Sequence, residues 1–182
     1  MTRIPCRDLD TLSGEARALS TERGALNVYR ALANAEQVFT GWMAAGREHL
    51  TSRTLPTRLR ELIILHVGHL MDSPYEVAQH TEVARQAGVS PAQLSALATD
   101  LGSGSAVFDD TELATLRLTT ELITTKHVDA ALFHRVHRAL GTEATVELLM
   151  LVHRWAGLAL MLNALQVDLD ADARISIPPA PG

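Results

Sequence analysis

The chain has 182 residues, 47% of them hydrophobic and 20% charged, which suits one globular domain with a substantial core. Its net charge of −5 and scattered Lys and Arg residues argue against nucleic-acid binding. The single cysteine, Cys6, excludes an intrachain disulfide. No signal-peptide core is present and no run reaches the ~20 apolar residues of a membrane span, so we expect a cytoplasmic protein without membrane partners.

The first part of the chain shows apolar residues at helical spacing rather than the alternation of strands. Residues 1–20 mix charges with proline and glycine and are predicted to form an N-terminal arm. Helices are predicted over residues 25–33, over 34–50 and over 56–72. The helix over 56–72 is apolar around most of its circumference, so we expect it to be central and buried.

The second part of the chain continues the helical pattern. Predicted helices run from Ser73 to Gly88, from Ser90 through Leu97, from Asp109 or Asp110 through Ile123, from Asp129 to Gly141, and from Thr142 to about Gln166. A Gly- and Ser-rich loop is predicted over 99–109. The fold class is therefore predicted as all-α, with one helical domain over 21–170 and a disordered tail over 171–182.

Groups able to carry out chemistry converge in residues 61–80, where an apolar helix, a tight break and a second helix follow each other. Ser73 can cap the second helix, Pro74 suits its first position, and Glu76 falls at its third. Glu76 and His80 are four residues apart and therefore share one helix face. A carboxylate and an imidazole at that spacing can exchange a proton.

Each of these residues also has a structural interpretation. An ordinary capping box accounts for Ser73 and Glu76, and is the interpretation we favour for Ser73. A helix interface accounts for His80, and core or rim packing for Tyr75. Glu61 lies early in an apolar helix and therefore needs a buried partner. Its candidate partners are Arg58, Arg60 and His80.

Two histidine pairs invite a metal interpretation, His66 with His69 and His134 with His137. Zinc sites use at least three protein ligands, so a pair of histidines is not enough and we predict no metal site. No Gly-rich phosphate loop follows a predicted strand, so nucleotide binding is not expected either. The sequence predicts no cofactor.

Several short segments match a known pattern: Leu55-Pro56, Arg58-Leu59-Arg60-Glu61, Tyr75-Glu76, His80, Ala84 and Gly88-Val89-Ser90. In these segments the chain resembles the carboxymuconolactone decarboxylase family, which includes the alkylhydroperoxidase D-like (AhpD-like) proteins. The resemblance covers about residues 25–168. It implies an all-α domain that assembles as a homo-oligomer, a trimer or a hexamer.

The family resembled here contains two chemical types. The peroxidase type has a glutamate, two cysteines three apart, and a histidine four residues beyond. Placed on this chain, Glu61 and His80 match the glutamate and the histidine, whereas Ser73 and Glu76 stand at the cysteine positions. Because neither serine nor glutamate cycles through a sulfenic acid, we do not expect thiol peroxidase activity. With Tyr75-Glu76 and His80, the chain is more similar to the decarboxylase-like type.

The residues and the resemblance together predict cofactor-free acid/base chemistry on a small cyclic acid or ketone, such as decarboxylation, lactone opening or isomerisation. His80 is the predicted acid/base, since imidazole titrates near neutral pH, with Glu61 and Glu76 as helpers. Ser73 and Tyr75 are the predicted substrate-binding residues. We expect Glu61, Glu76 and His80 to converge on one partly apolar pocket, with Tyr75 at or near its rim. The alternative is a non-catalytic binding or scaffold protein, and alkylhydroperoxidase-like activity ranks third.

Overall fold

The computed structural model describes residues 1–99, 101, 105–171 and 174–177, except for the side chain of residue 105, and within them it contains helices but no strand. The helices are α1 (Gly14–Glu22), α2 (Asn27–Leu32), α3 (Glu36–Thr51), α4 (Thr57–Leu70), α5 (Pro74–Gln86), α6 (Pro91–Ala98), α7 (Asp110–Thr125) and α8 (Ala130–Leu165). Short 3-10 helices occupy Leu9–Thr11, Ala33–Ala35 and Ser105–Val107. The predicted all-α class is confirmed. Much of the predicted tail and part of the predicted loop lie outside the described residues.

The predicted helices from α2 onward are present, and their ends differ from the prediction by a few residues. Helix α1 was not predicted, because only Ala16 and Ser20 in it are buried and its sequence is mostly polar. It begins after Ser13, whose Oγ accepts a hydrogen bond of 3.3 Å from the Ala16 N–H. This N-cap stabilises a helix that its weak apolar pattern did not reveal.

Helix α8 is interrupted where the sequence predicts a boundary between two helices. Gly141 lies inside it with φ 79° and ψ 172°, a backbone conformation that only glycine adopts readily. By length and composition, α8 is also apolar enough to cross a membrane, whereas the sequence analysis predicted no segment of that kind. Since the core helix of a soluble protein meets the same criterion, this single helix is weak evidence for a membrane span.

The chain divides into two compact units. One comprises Met1–Arg53 with Met161–Gly182, where the Arg3 N–H donates to the Leu165 carbonyl at 2.8 Å. The other comprises Thr54–Leu160 and contains all the predicted site residues. Within this second unit, α4 packs against α5 and α7. Residues 59–68 of α4 are all buried, which confirms the predicted central helix.

Helices α4 and α5 form an antiparallel hairpin that positions the candidate site. The chain reverses at Asp72, where φ is +50°, and the Ser73 N–H donates to the Gly68 carbonyl at 2.8 Å. Gly68 permits the close approach of the two helices, because a Cβ there would lie 3.1 Å from Val77 Cγ2 and 3.6 Å from Glu76 Cβ. The hairpin therefore brings the start of α4 beside the middle of α5.

A polar cluster around Arg58 joins α4 to α6 and α7. The Arg58 guanidinium donates to Glu112, to Gln93 Oε1 at 2.9 Å, and to the Gly88 carbonyl at 3.1 Å. Gln93 in turn donates to Glu112 Oε2 at 3.3 Å. Arg58 thus supports the scaffold, and the suggestion that it is the partner of Glu61 is wrong.

Candidate functional site

A buried carboxylate–imidazole pair lies at the centre of the α4–α5 hairpin. His80 Nδ1 is 2.8 Å from Glu61 Oε2, and the two residues are 4% and 0% exposed. With the Glu61 carboxylate as the acceptor, the proton of a neutral His80 belongs on Nδ1. The hydrogen bond therefore fixes both the tautomer and the orientation of the imidazole ring.

The charge of Glu61 is balanced by its neighbour in sequence. Arg60 Nε lies 3.5 Å from Glu61 Oε1, and the Arg60 side chain is 3% exposed. A guanidinium beside the carboxylate offsets the cost of burying either charge alone. Of the three candidate partners of Glu61, Arg60 and His80 therefore contact its carboxylate in the structure.

The other nitrogen of the imidazole faces an indole that the sequence analysis did not assign to the site. Trp155 Nε1–H donates to His80 Nε2 at 3.4 Å, and the rings meet edge to face with centroids 6.0 Å apart. A donor at Nε2 agrees with a proton on Nδ1. Its length makes this bond weak, so Trp155 blocks Nε2 only loosely.

Glu76 lies one helical turn before His80 and has a different environment from Glu61. It is 2% exposed, and neither of its carboxylate oxygens has a hydrogen-bond partner among the described residues. Burial raises the pKa of the Glu76 carboxyl from 4.5 to about 8, against a smaller lowering by the nearby Ser73 hydroxyl. Glu76 is therefore a neutral carboxylic acid at pH 7.

Ser73 does not cap α5, so the predicted capping box is wrong. Its side chain makes no capping hydrogen bond, and its Oγ is buried without a partner. The nearby Ser73 hydroxyl lowers the pKa of the Glu76 carboxyl, but the two side chains do not form a hydrogen bond of normal geometry. The backbone of Ser73 has φ −105° and ψ 84°, which differs from the extended conformation typical of a capping residue.

Tyr75 was predicted to bind substrate, at or near the rim of a pocket. The structure places it inside the protein, where it is only 4% exposed. It is the second residue of α5 and immediately precedes Glu76. Ser73, Tyr75 and Glu76 are therefore three buried residues at the start of the helix that carries His80.

A cavity of about 330 Å³ in the same unit is lined by residues outside the predicted site. Its lining residues are His66, His69, Leu70, Asp72, Leu97, Ala98, Thr99, Leu101 and Thr120. His66 Nε2 donates to Thr120 Oγ1 at 2.7 Å, because that hydroxyl already gives its own proton to the Leu116 carbonyl. Burial lowers the pKa of His66 to about 4. In the described part of the chain, no three His, Cys, Asp or Glu side chains are placed to hold a metal ion.

Solved structures share this fold. A peroxidase-related protein from Ralstonia eutropha JMP134, described as an alkylhydroperoxidase AhpD core, superposes with a TM-score of 0.81 at 18% identity, over 94% of this chain and 93% of its own. A peroxidase-related protein from Silicibacter sp. TM1040 gives 0.77 at 16% identity, over 94% and 93%. A putative antioxidant defence protein AhpD from Agrobacterium tumefaciens gives 0.67 at 17% identity, over 77% and 96%. At these identities the likeness concerns the fold alone.

The sequence itself matches a family over the segment that carries the site. No curated protein matches the chain significantly. Residues 36–121 match the carboxymuconolactone decarboxylase family, and this segment includes Glu61, Glu76 and His80. Residues 36–121 are thus similar to the carboxymuconolactone decarboxylase family, and the chain has the fold of the AhpD-like proteins.

Proposed function

We propose that the protein catalyses cofactor-free proton transfer on a small cyclic acid or ketone, by decarboxylation, lactone opening or isomerisation. The observation that carries the proposal is the buried Glu61–His80 hydrogen bond of 2.8 Å. A carboxylate that orients an imidazole and stabilises its charged form is a recurrent arrangement for general base catalysis. The similarity of residues 36–121 to the carboxymuconolactone decarboxylase family supports the same class of chemistry.

The two carboxyl groups have separate roles in this proposal. The Glu61–His80 pair accepts a proton at His80 Nε2, and Glu61 stabilises the resulting imidazolium. Glu76, neutral at pH 7 because burial raises its pKa to about 8, donates a proton to a developing carbanion, enolate or leaving oxygen. In a decarboxylation, the electrons of the broken C–C bond remain on the substrate until Glu76 protonates that carbon.

The Trp155 indole must release His80 Nε2 before His80 can act as a base. Its indole N–H contacts His80 Nε2 at 3.4 Å, so a substrate proton can reach Nε2 only if the indole gives up that contact. A weak donor at this position holds the ring in place before substrate arrives and costs little to displace. Ser73 and Tyr75 are both buried, so they can bind substrate only if a ligand can enter at the start of α5.

The proposal is tested with carboxymuconolactone as the first substrate and with exchange of carbon-bound hydrogen in D2O for related lactones and ketones. His80→Asn and Glu76→Gln should each lower turnover about 100-fold or more, the usual contribution of a positioned acid or base. Glu82→Gln, on the exposed face of α5, is the matched control and should retain full turnover. Turnover or exchange that survives His80→Asn unchanged would remove the basis of the proposal.

The second candidate is a non-catalytic protein that binds small molecules. It is favoured by the cavity of about 330 Å³, which is lined by residues other than the five predicted for the site. Ligand binding that His80→Asn leaves intact, without turnover, supports this candidate. Thiol peroxidase activity is the least supported, since Ser73 and Glu76 stand where the redox cysteines would be. Assembly into a trimer or a hexamer, and a cytoplasmic location, stay predictions.

A further inference from the structure

The cavity of about 330 Å³ lies where the end of α4 meets α7 and the segment after α6. Its walls come from the end of α4 and the turn that follows, from the end of α6 with Thr99 and Leu101, and from Thr120 of α7. None of the five residues predicted for the site lines it. Since a water molecule takes up ~30 Å³, the cavity has room for a ligand of about ten non-hydrogen atoms.

One part of the cavity wall is a row of polar side chains that leads from the interior to the surface. His66, His69 and Asp72 follow each other at intervals of three residues, and all three line the cavity. His66 is only 4% exposed, His69 is half-buried and Asp72 is exposed. We call these three residues the polar track. Leu97 and Leu101 belong to the apolar part of the wall, so the cavity suits a ligand that is polar at one end and apolar at the other.

The innermost residue of the polar track has an unused hydrogen-bond acceptor. His66 Nε2 donates to Thr120 Oγ1 at 2.7 Å, so the neutral imidazole carries a lone pair on Nδ1. Burial lowers the pKa of His66 to about 4 and thereby keeps the ring neutral at pH 7. Nδ1 is buried and has no hydrogen-bond partner among the described residues. A buried acceptor without a partner is costly, and an N–H or O–H group of a ligand would satisfy it.

The charge of the cavity wall is negative. Asp72 is the only Asp, Glu, Lys or Arg among the described lining residues, and burial lowers the pKa of His69, which keeps that imidazole neutral as well. The Thr99 hydroxyl donates its proton to the Ser95 carbonyl at 3.2 Å and therefore offers only lone pairs to a ligand. The wall consequently favours a ligand that donates hydrogen bonds and carries a positive charge.

We propose that this cavity binds a small organic amine, whose N–H groups hydrogen-bond to the polar track and whose apolar body packs against Leu97 and Leu101. A metal ion is a poorer fit, because no three His, Cys, Asp or Glu side chains in the described part of the chain are placed to hold one. A carboxylate ligand is also a poorer fit, since Asp72 would repel it and no lining Arg or Lys would offset that repulsion. The amine site is therefore distinct from the acid/base chemistry proposed at His80 and does not depend on it.

The test is titration calorimetry on the full chain with three ligands of matched shape, namely phenethylamine, phenethyl alcohol and phenylacetate. The wild type should bind the amine about 10-fold or more tightly than phenylacetate, with the uncharged alcohol between them. Asp72→Asn should weaken amine binding about 5-fold and leave alcohol binding unchanged, because it removes the charge alone. Asparagine tolerates the φ of +50° at this position, so the variant should fold. Glu82→Gln, an exposed change of the same charge outside the cavity, is the matched control and should bind like the wild type.

A second variant places the bound amine in the cavity. Ala98 lines the cavity and is exposed, so Ala98→Trp should fill the space without disturbing the core and should abolish amine binding. Ala92→Trp, at an exposed alanine of the same helix outside the cavity, is its control and should bind normally. Absence of saturable phenethylamine binding, equal affinity for phenylacetate, an unaffected Asp72→Asn or binding that survives Ala98→Trp overturns the proposal. His80→Asn should bind the amine like the wild type, and loss of binding there would also overturn it by assigning the amine to the Glu61–His80 site.

Discussion

Replacing Glu76 by glutamine should remove part of the pH dependence of stability. The folded chain keeps the Glu76 carboxyl protonated until about pH 8, whereas the unfolded chain loses that proton near pH 4.5. Between these two values the unfolded state binds fewer protons, so the free energy of unfolding falls as pH rises. The glutamine variant lacks this titration and should not show the fall.

The size of this stability effect follows from the shift in the pKa of Glu76. Each pKa unit corresponds to about 1.4 kcal/mol, and most of the interval from 4.5 to about 8 lies between pH 5 and pH 8. Relative to the wild type, Glu76→Gln should therefore gain about 3 to 4 kcal/mol of unfolding free energy over that range. A constant offset is expected in addition, because the buried amide brings two N–H groups that also lack partners.

The measurement is urea unfolding followed by circular dichroism at fixed protein concentration, at half-unit steps from pH 5 to pH 8. The difference between variant and wild type is the useful quantity, because His66, with a pKa lowered by burial to about 4, destabilises both chains alike as pH falls below ~6.5. Glu82→Gln is exposed and should follow the wild-type curve. A difference between Glu76→Gln and wild type that stays constant from pH 5 to pH 8 would refute the assignment of Glu76 as a buried neutral acid.

Two further substitutions test the scaffold and the redox interpretation. Gly68→Ala should lower stability by about 1 to 3 kcal/mol, because its Cβ would lie 3.1 Å from Val77 Cγ2. Gly41→Ala should instead raise stability by about 0.5 to 1 kcal/mol, because nothing lies within 4 Å of an added Cβ there. Thermal unfolding compares the stabilities of the two variants. Cys6→Ser should leave turnover unchanged, since burial raises the pKa of this thiol and disfavours the thiolate; peroxide consumption that disappears in Cys6→Ser would contradict this.

The Glu61–His80 pair was accessible to prediction because its determinants are local. Both residues lie on helices separated by one tight break, and a hairpin over twenty residues leaves few ways to arrange them. The apolar circumference of α4 correctly indicated burial, and burial in turn required Glu61 to have a partner. Pattern and short-range geometry were sufficient for this part of the site.

The contact of Trp155 and the conformation of Ser73 could not be predicted from local sequence patterns. Trp155 lies 75 residues after His80, and no local pattern indicates which helix packs against that imidazole. Ser73 has the residue type and spacing of a capping residue, but capping depends on a side-chain orientation and backbone conformation that spacing does not determine. Helix α1 was missed for a third reason, since its stability comes from a cap rather than from an apolar face.

Glu76 connects stability to the proposed chemistry. A carboxyl group buried without a partner lowers stability at neutral pH, and a sequence optimised only for folding would place an apolar or hydrogen-bonded residue there. Groups with strongly shifted pKa values cluster at functional sites, where the shift itself is useful. The same variant therefore separates the two interpretations. If Glu76 is a catalytic acid, Glu76→Gln gains stability at pH 8 relative to pH 5 and loses turnover, whereas a purely structural Glu76 gives the same gain in stability with turnover unchanged.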